Sequence, residues 1–155
     1  MDTNAKLNFL KVTFPTLVLH ANPDRPNSWG KMNLQQMVEH MSEAVKNASG
    51  KLKLTQVTPP EKIPAMHAFV ISDREFKPNT KNVLMAEEPL PTKHDSIDSA
   101  LQEFQSELNY FEKFFTENPG STQLNPFFGI LNFDEWCHLL HKHATHHLKQ
   151  FTLIE

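Results

Sequence analysis

Cysteine is nearly absent from this chain. Cys137 is the single one, so no internal disulfide can form, and the composition fits a reducing compartment. The sequon Asn47-Ala48-Ser49 then carries no weight. Basic runs and basic–aromatic alternation are missing as well, and the formal net charge is only -3, which sets nucleic-acid binding aside. Long apolar runs are also lacking. The first twenty residues interleave Lys6, Asn8 and Lys11 with their apolar positions, matching neither a signal peptide nor a membrane span. No internal repeat or low-complexity tract appears. A cytoplasmic globular protein is the expectation.

A length of 155 residues suits one compact domain, 1–155, with a real hydrophobic core. Four segments show helical periodicity. The first, about residues 4 to 20, places Leu7, Leu10, Phe14 and Leu17 on one stripe, and Pro15 predicts a kink or break within it. The second begins near Asn33, where Asn33 and Gln36 form a capping-box pattern. It carries Leu34, Met37, Met41, Ala44 and Ala48 inward and ends at Gly50. The third runs from about Ser96 to Thr116, with Ile97, Leu101, Phe104, Leu108, Phe111 and Phe115 on its stripe, until "ENPG" stops it. The fourth starts at Asn132 with a capping box to Glu135. Its inward stripe is Phe133, Cys137, Leu140, Ala144, His147 and Phe151.

Residues 51 to 95 contain Pro59, Pro60, Pro64, Pro78, Pro89 and Pro91, which excludes a long helix there. Within them "HAFVISD" reads as a short extended or helical piece. A connection of this length between two helices fits a crossover better than a hairpin. The pattern predicts an all-α four-helix bundle with one long irregular crossover between the second and third helices.

What the chain has in quantity is histidine near its end. "WCHLLHKHATHHLKQF" holds five histidines in sixteen positions, at 138, 141, 143, 146 and 147. His143 and His147 lie four apart and so stack on one helical face. His147 is seven residues after Leu140 and His143 seven after Trp136, which aims both toward or beside the core. An unpaired imidazole there would be costly. The one histidine inside a predicted helix elsewhere is His40, three after Met37 and four before Ala44, again beside the inward face. His40, His143 and His147 together make a three-nitrogen set inside a bundle. Three protein ligands leave a coordination position open, the arrangement of catalytic rather than structural zinc.

A plainer reading stands beside this one. His143 and His147 could be buried histidines bonded to backbone or to Glu39 and Gln36, since two histidines four apart recur by chance. His138, His141 and His146 read as surface or supporting residues, with His146 the rival to His143 or His147. His20, His67 and His94 fall in or near loops, and nothing selects them. Cys137 reads as a small core residue, and Trp29 and Trp136 as packing residues or the lining of a pocket.

Three stretches in order, "WGKMNLQQMVEHM", "NPFFGILNFDEW" and "KHATHHLKQF", together with "HAFVISDREF" and "SIDSALQEFQSELNYFEKFF", resemble the DinB-like (DinB/YfiT) superfamily. The likeness spans essentially the whole chain and is to a branch without an assigned activity. It implies an up–up–down–down four-helix bundle holding a metal by three histidines. Carried over by motif, those ligands fall on His40 in "VEHM" and on His143 and His147, with the glutamine that follows falling on Gln150.

The resemblance also implies chemistry. Relatives include thiol-dependent transferases and isomerases that use low-molecular-weight thiols, and others described as metal-dependent hydrolases. A divalent ion, zinc or nickel, on three neutral imidazoles keeps its charge and lowers the pKa of a bound water toward about 7, or binds a thiol as thiolate. The expectation is a metal-dependent small-molecule enzyme of thiol-transferase or hydrolase type, homodimeric by analogy with relatives. Glu39, about 100° around the helix from His40, is a weak general base, and Gln150 reads as a helix-capping neighbour more than a ligand-orienting one. With no general base in view, thiol activation has the edge. The alternative is a non-catalytic ligand-binding or dimeric interaction module of the same fold.

Overall fold

The computed structural model describes residues 2–80 and 82–155. Asp2 caps the first helix, α1 (Thr3–Asn8), accepting from the Ala5 amide at 2.7 Å. The chain then widens through a π-turn, Phe9–Thr13, and runs on as α2 (Phe14–His20). Pro15 accounts for the widening. Proline lacks an N–H, and its ring crowds the carbonyl four residues back, here that of Lys11. The freed Lys11 carbonyl accepts instead from the Gln105 side chain at 2.6 Å. The kink or break expected at Pro15 is therefore a π-turn in a continuous helical path. It also corrects the stripe. Leu7, Leu10 and Phe14 are buried as their spacing predicts, but the next buried residue is Val18, while Leu17 is only half-buried. The wider turn rotates later residues relative to an ideal helix.

The loop after α2 leads to α3 (Leu34–Ala48), whose capping box is complete: the Asn33 side chain accepts from the Gln36 amide, and the Gln36 side chain from the Asn33 amide, each at 2.8 Å. Gly50, at φ +81°, follows the C-cap Ser49. The positive φ favours glycine there, and a side chain would also displace the Gln123 amide, 2.6 Å from the Cβ position. Asn47 is buried rather than displayed, and donates to the carbonyls of Leu52 and Leu124 at 3.2 and 3.0 Å.

The crossover carries a 3-10 turn, Pro60–Lys62, and α4 (Ile63–Ile71), so "HAFVISD" begins as helix. Its remainder is pinned by side chains. Gln36 donates to the Leu90 carbonyl at 2.9 Å, Gln35 to that of His94 at 2.6 Å, and Lys142 to that of Ser72 at 2.8 Å. The next helix, α5 (Ile97–Glu117), is capped by Ser96 and packs most extensively on α3. A short antiparallel hairpin follows, β1 (Gln123–Asn125) and β2 (Gly129–Leu131), pairing Leu124 with Ile130. Its strands are too short for alternation to show in the sequence, and the helical reading passes over them. The last helix, α6 (Phe133–Gln150), again has a complete box, between Asn132 and Glu135, and Asp134 and Glu135 favour its positive end.

Buried side chains from every helix join one apolar cluster, centred on Phe14, Met37, Met41, Phe104, Phe111, Leu140 and Phe151. The fold is all-α apart from the hairpin. Among the described residues no helix is long and apolar enough to cross a membrane.

Candidate metal centre

Helix α6 places His143 and His147 one turn apart, with their Nε2 atoms 2.9 Å from each other. Helix α3, packed alongside, brings the Nε2 of His40 to 3.0 Å from that of His143. The ring centroids are 4.9 Å (40–143), 5.1 Å (40–147) and 4.7 Å (143–147) apart. One donor atom from each ring lies within 4.8 Å of the others, so the three residues are close enough to bind a metal ion together. Donors on a tetrahedral ion, at bond lengths of about 2.05 Å, stand roughly 3.3 Å apart. Among the described residues these Nε2 atoms have no hydrogen-bond partner but one another. Nitrogen lone pairs gathered at one point, with no carboxylate or carbonyl interposed, are a donor set that a cation fits.

The far side of His147 is held. Its Nδ1–H donates to the Gln150 Oε1 at 2.8 Å, which leaves the lone pair on Nε2. The other end of that amide donates to the Trp29 carbonyl at 2.8 Å. Gln150 is buried, and the loop before α3 is folded onto it. Ser28 N–H donates to the Gln150 carbonyl at 2.7 Å, and Arg25 donates to the carbonyls of Phe151 and Thr152 at 2.6 and 2.9 Å. These bonds satisfy carbonyls that the end of α6 would otherwise leave without partners. Gly30 sits at φ +77°, and a Cβ there would come within 3.0 Å of the Gln150 amide nitrogen. The expectation that Gln150 serves as a capping neighbour is corrected: its side chain orients a cluster histidine.

Electrostatics keep the rings neutral. Burial lowers His40 to about 4, with nearby Glu43 opposing and His146 adding to the shift. Burial, then the neighbouring imidazoles, holds His143 and His147 well below the usual histidine range, Gln150 opposing at His147. Neutral imidazole is the form that ligates metal.

The remaining histidines go elsewhere. His138 bonds to Lys6, and His141 packs on Phe9 at 4.7 Å, burial pushing it down to about 4. His67 pairs with Glu135 at 2.9 Å, and His94 faces Glu103 at 3.4 Å. His20 is exposed. His146 is half-buried between Trp29 and Phe76 and does not join the cluster. The plainer partners are taken as well. Glu39 accepts from the Lys93 amide at 2.6 Å and from Gln35 at 3.0 Å, and Gln36 serves its cap and Leu90. Cys137 is a buried thiol pushed up to about 12 by its burial, and Trp136 is buried with its N–H donating to Gln123.

Phe76 is the neighbour that residue spacing misses. It lies outside any periodic segment, and only its contacts with His143 and His146 mark it. Comparison with family models, curated proteins and solved structures returned no match to this chain.

Proposed function

We propose that this chain is a metal-dependent small-molecule enzyme of the DinB-like four-helix-bundle type. In this reading His40, His143 and His147 hold a divalent ion, zinc or nickel, and a low-molecular-weight thiol is the co-substrate. One observation carries it: three ring nitrogens from α3 and α6 gather at a single point with no other partners among the described residues. The bundle part is supported by four long helical stretches with the longest connection between the second and third.

Bound there, the ion supplies a Lewis-acid centre that favours thiolate over thiol at neutral pH. The protein's contribution is preparation. Burial keeps the three rings neutral, so their lone pairs are not lost to protons, and Gln150 fixes the face His147 presents. His40 and His143 each keep a minor part of their surface in solvent. The carboxylate nearest in sequence to a ligand, Glu39, is committed to Lys93 and Gln35, which removes the obvious base for activating water. That favours a thiol nucleophile: a sulfur–carbon bond forms at an electrophilic carbon, its leaving group departs, and the thiol proton passes to solvent.

The test is chloride release from 1-chloro-2,4-dinitrobenzene in the presence of 2-mercaptoethanol. The zinc- or nickel-loaded protein accelerates it, and chelator or His143→Ala abolishes the acceleration. Thiol-independent, metal-dependent hydrolysis of a nitrophenyl ester in its place would move the reading to a hydrolase. Metal binding with neither activity would leave a binding module.

A further inference from the structure

Beside the histidine cluster runs an arc of rings that metal ligation does not use. The Trp29 ring lies 5.3 Å from His146, and Phe76 lies 5.7 Å from His146 and 6.1 Å from His143. His146 in turn is 5.1 Å from His147. Trp29, His146 and Phe76 thus form one surface touching two of the three cluster histidines. Each of the three is only half-buried. Large aromatic rings gain most from complete burial, and here two remain partly in water next to the polar cluster. Phe76 is backed by Phe69 at 5.2 Å and Phe128 at 6.0 Å, so its position is set by packing and not by chance exposure. Trp29 is set by the loop latched to the end of α6.

Several charged groups near the arc are engaged with one another or with backbone. The cations around this part of α6 are committed: Lys149 to Glu75 at 2.7 Å, Lys142 to the carbonyls of Ser72 and Arg74, Arg25 to those of Phe151 and Thr152. Arg74 lies over the Phe69 ring, 5.3 Å from its centroid. Glu75 and Glu39 are likewise engaged. Ligand sites of this kind combine apolar and aromatic walls with a few polar groups that fix one end of the molecule.

We infer that the site takes a small molecule with a flat apolar ring joined to a compact metal-binding head, the ring against Trp29 and Phe76 and the head toward His40, His143 and His147. This rests on the metal reading above and adds the class of ligand.

Two hydroxamates that share one head separate the ideas. Cobalt(II)-loaded protein, whose visible absorption follows its coordination, is titrated with benzohydroxamate and with acetohydroxamate. Benzohydroxamate binds at least about tenfold tighter, the scale expected for sheltering a phenyl ring. Phe76→Ala and Trp29→Ala each cut that preference to about threefold or less. Both keep one cobalt per chain and leave acetohydroxamate binding unchanged. Phe76→Leu, which retains volume, replaces the alanine variant if that one fails to fold, and it also lowers the preference. Equal affinity of the two hydroxamates for the parent protein overturns the inference and leaves the metal site standing. So does a preference that survives both substitutions. A chain that binds no cobalt overturns the metal reading and this inference together.

Discussion

The Nε2 of His40 stands 3.0 Å from the Nε2 of His143, although 103 positions separate the two residues in the chain. Helical geometry alone delivers His147 to His143. It cannot deliver His40, which arrives only because α3 packs against α6. Ligation therefore reports on the tertiary fold. His40→Ala, His143→Ala and His147→Ala are each expected to abolish stoichiometric zinc binding, whereas His146→Ala retains about one ion per chain. Elemental analysis of the purified variants checks this, and loss of zinc in His146→Ala would reassign the ligand set.

Gln150 links His147 to the Trp29 carbonyl and has no other side-chain partner among the described residues. Gln150→Ala frees the His147 ring to turn. Zinc affinity is expected to fall about 10- to 100-fold, the usual cost of losing a residue that orients a ligand. Gly30→Ala reaches the same amide from the other side, by strain at φ +77° and contact at 3.0 Å, and is expected to cost about 1–2 kcal/mol of stability. Competition with a chromophoric chelator measures the first and denaturant titration the second.

Acid should destabilise the metal-free chain in a defined window. Burial holds His40 and His141 at about 4 and His143 and His147 lower still, against an unfolded value of 6.5. Below 6.5 the unfolded chain takes up protons that the folded chain refuses. Stability from this source is complete above that pH and is lost progressively as pH falls toward 4, with His40 alone accounting for about 3 kcal/mol there. Urea midpoints measured in chelator between pH 7.5 and 4.5 test the sign. A midpoint that stays flat across this interval contradicts the burial of these rings.

Gln105→Ala probes a different claim, that Pro15 is tolerated because another helix satisfies the carbonyl it orphans. The Lys11 carbonyl would lose its partner from α5. A loss of about 1 kcal/mol is expected, with zinc binding intact. No loss would mean that water serves that carbonyl equally well.

Local signals were the legible ones. The boxes at Asn33–Gln36 and Asn132–Glu135 depend on residues within a single turn, and both appear where the residue types demand them. The stripes of α5 and α6 follow from uninterrupted 3.6-residue periodicity, so Phe104, Leu108, Phe111 and His147 face inward as expected. Val18 was illegible because the π-turn before it changes the period, and that turn answers to Pro15 and Gln105 together. The hairpin was missed because three-residue strands are too short to alternate. The cluster histidines were legible as residues facing the core. Their neighbour Phe76 was not, and Trp29 was legible only as a packing or pocket-lining residue, since loop residues carry no periodicity and are placed by bonds such as Gln150 to Trp29.

The central claim is that three imidazoles share one ion. Anomalous-difference density from a crystal grown with zinc, recorded on both sides of the zinc edge, addresses it directly. The account predicts one peak about 2.0–2.1 Å from the Nε2 atoms of His40, His143 and His147. A map with no peak among these rings, or with zinc on His146 in place of one of them, would contradict it.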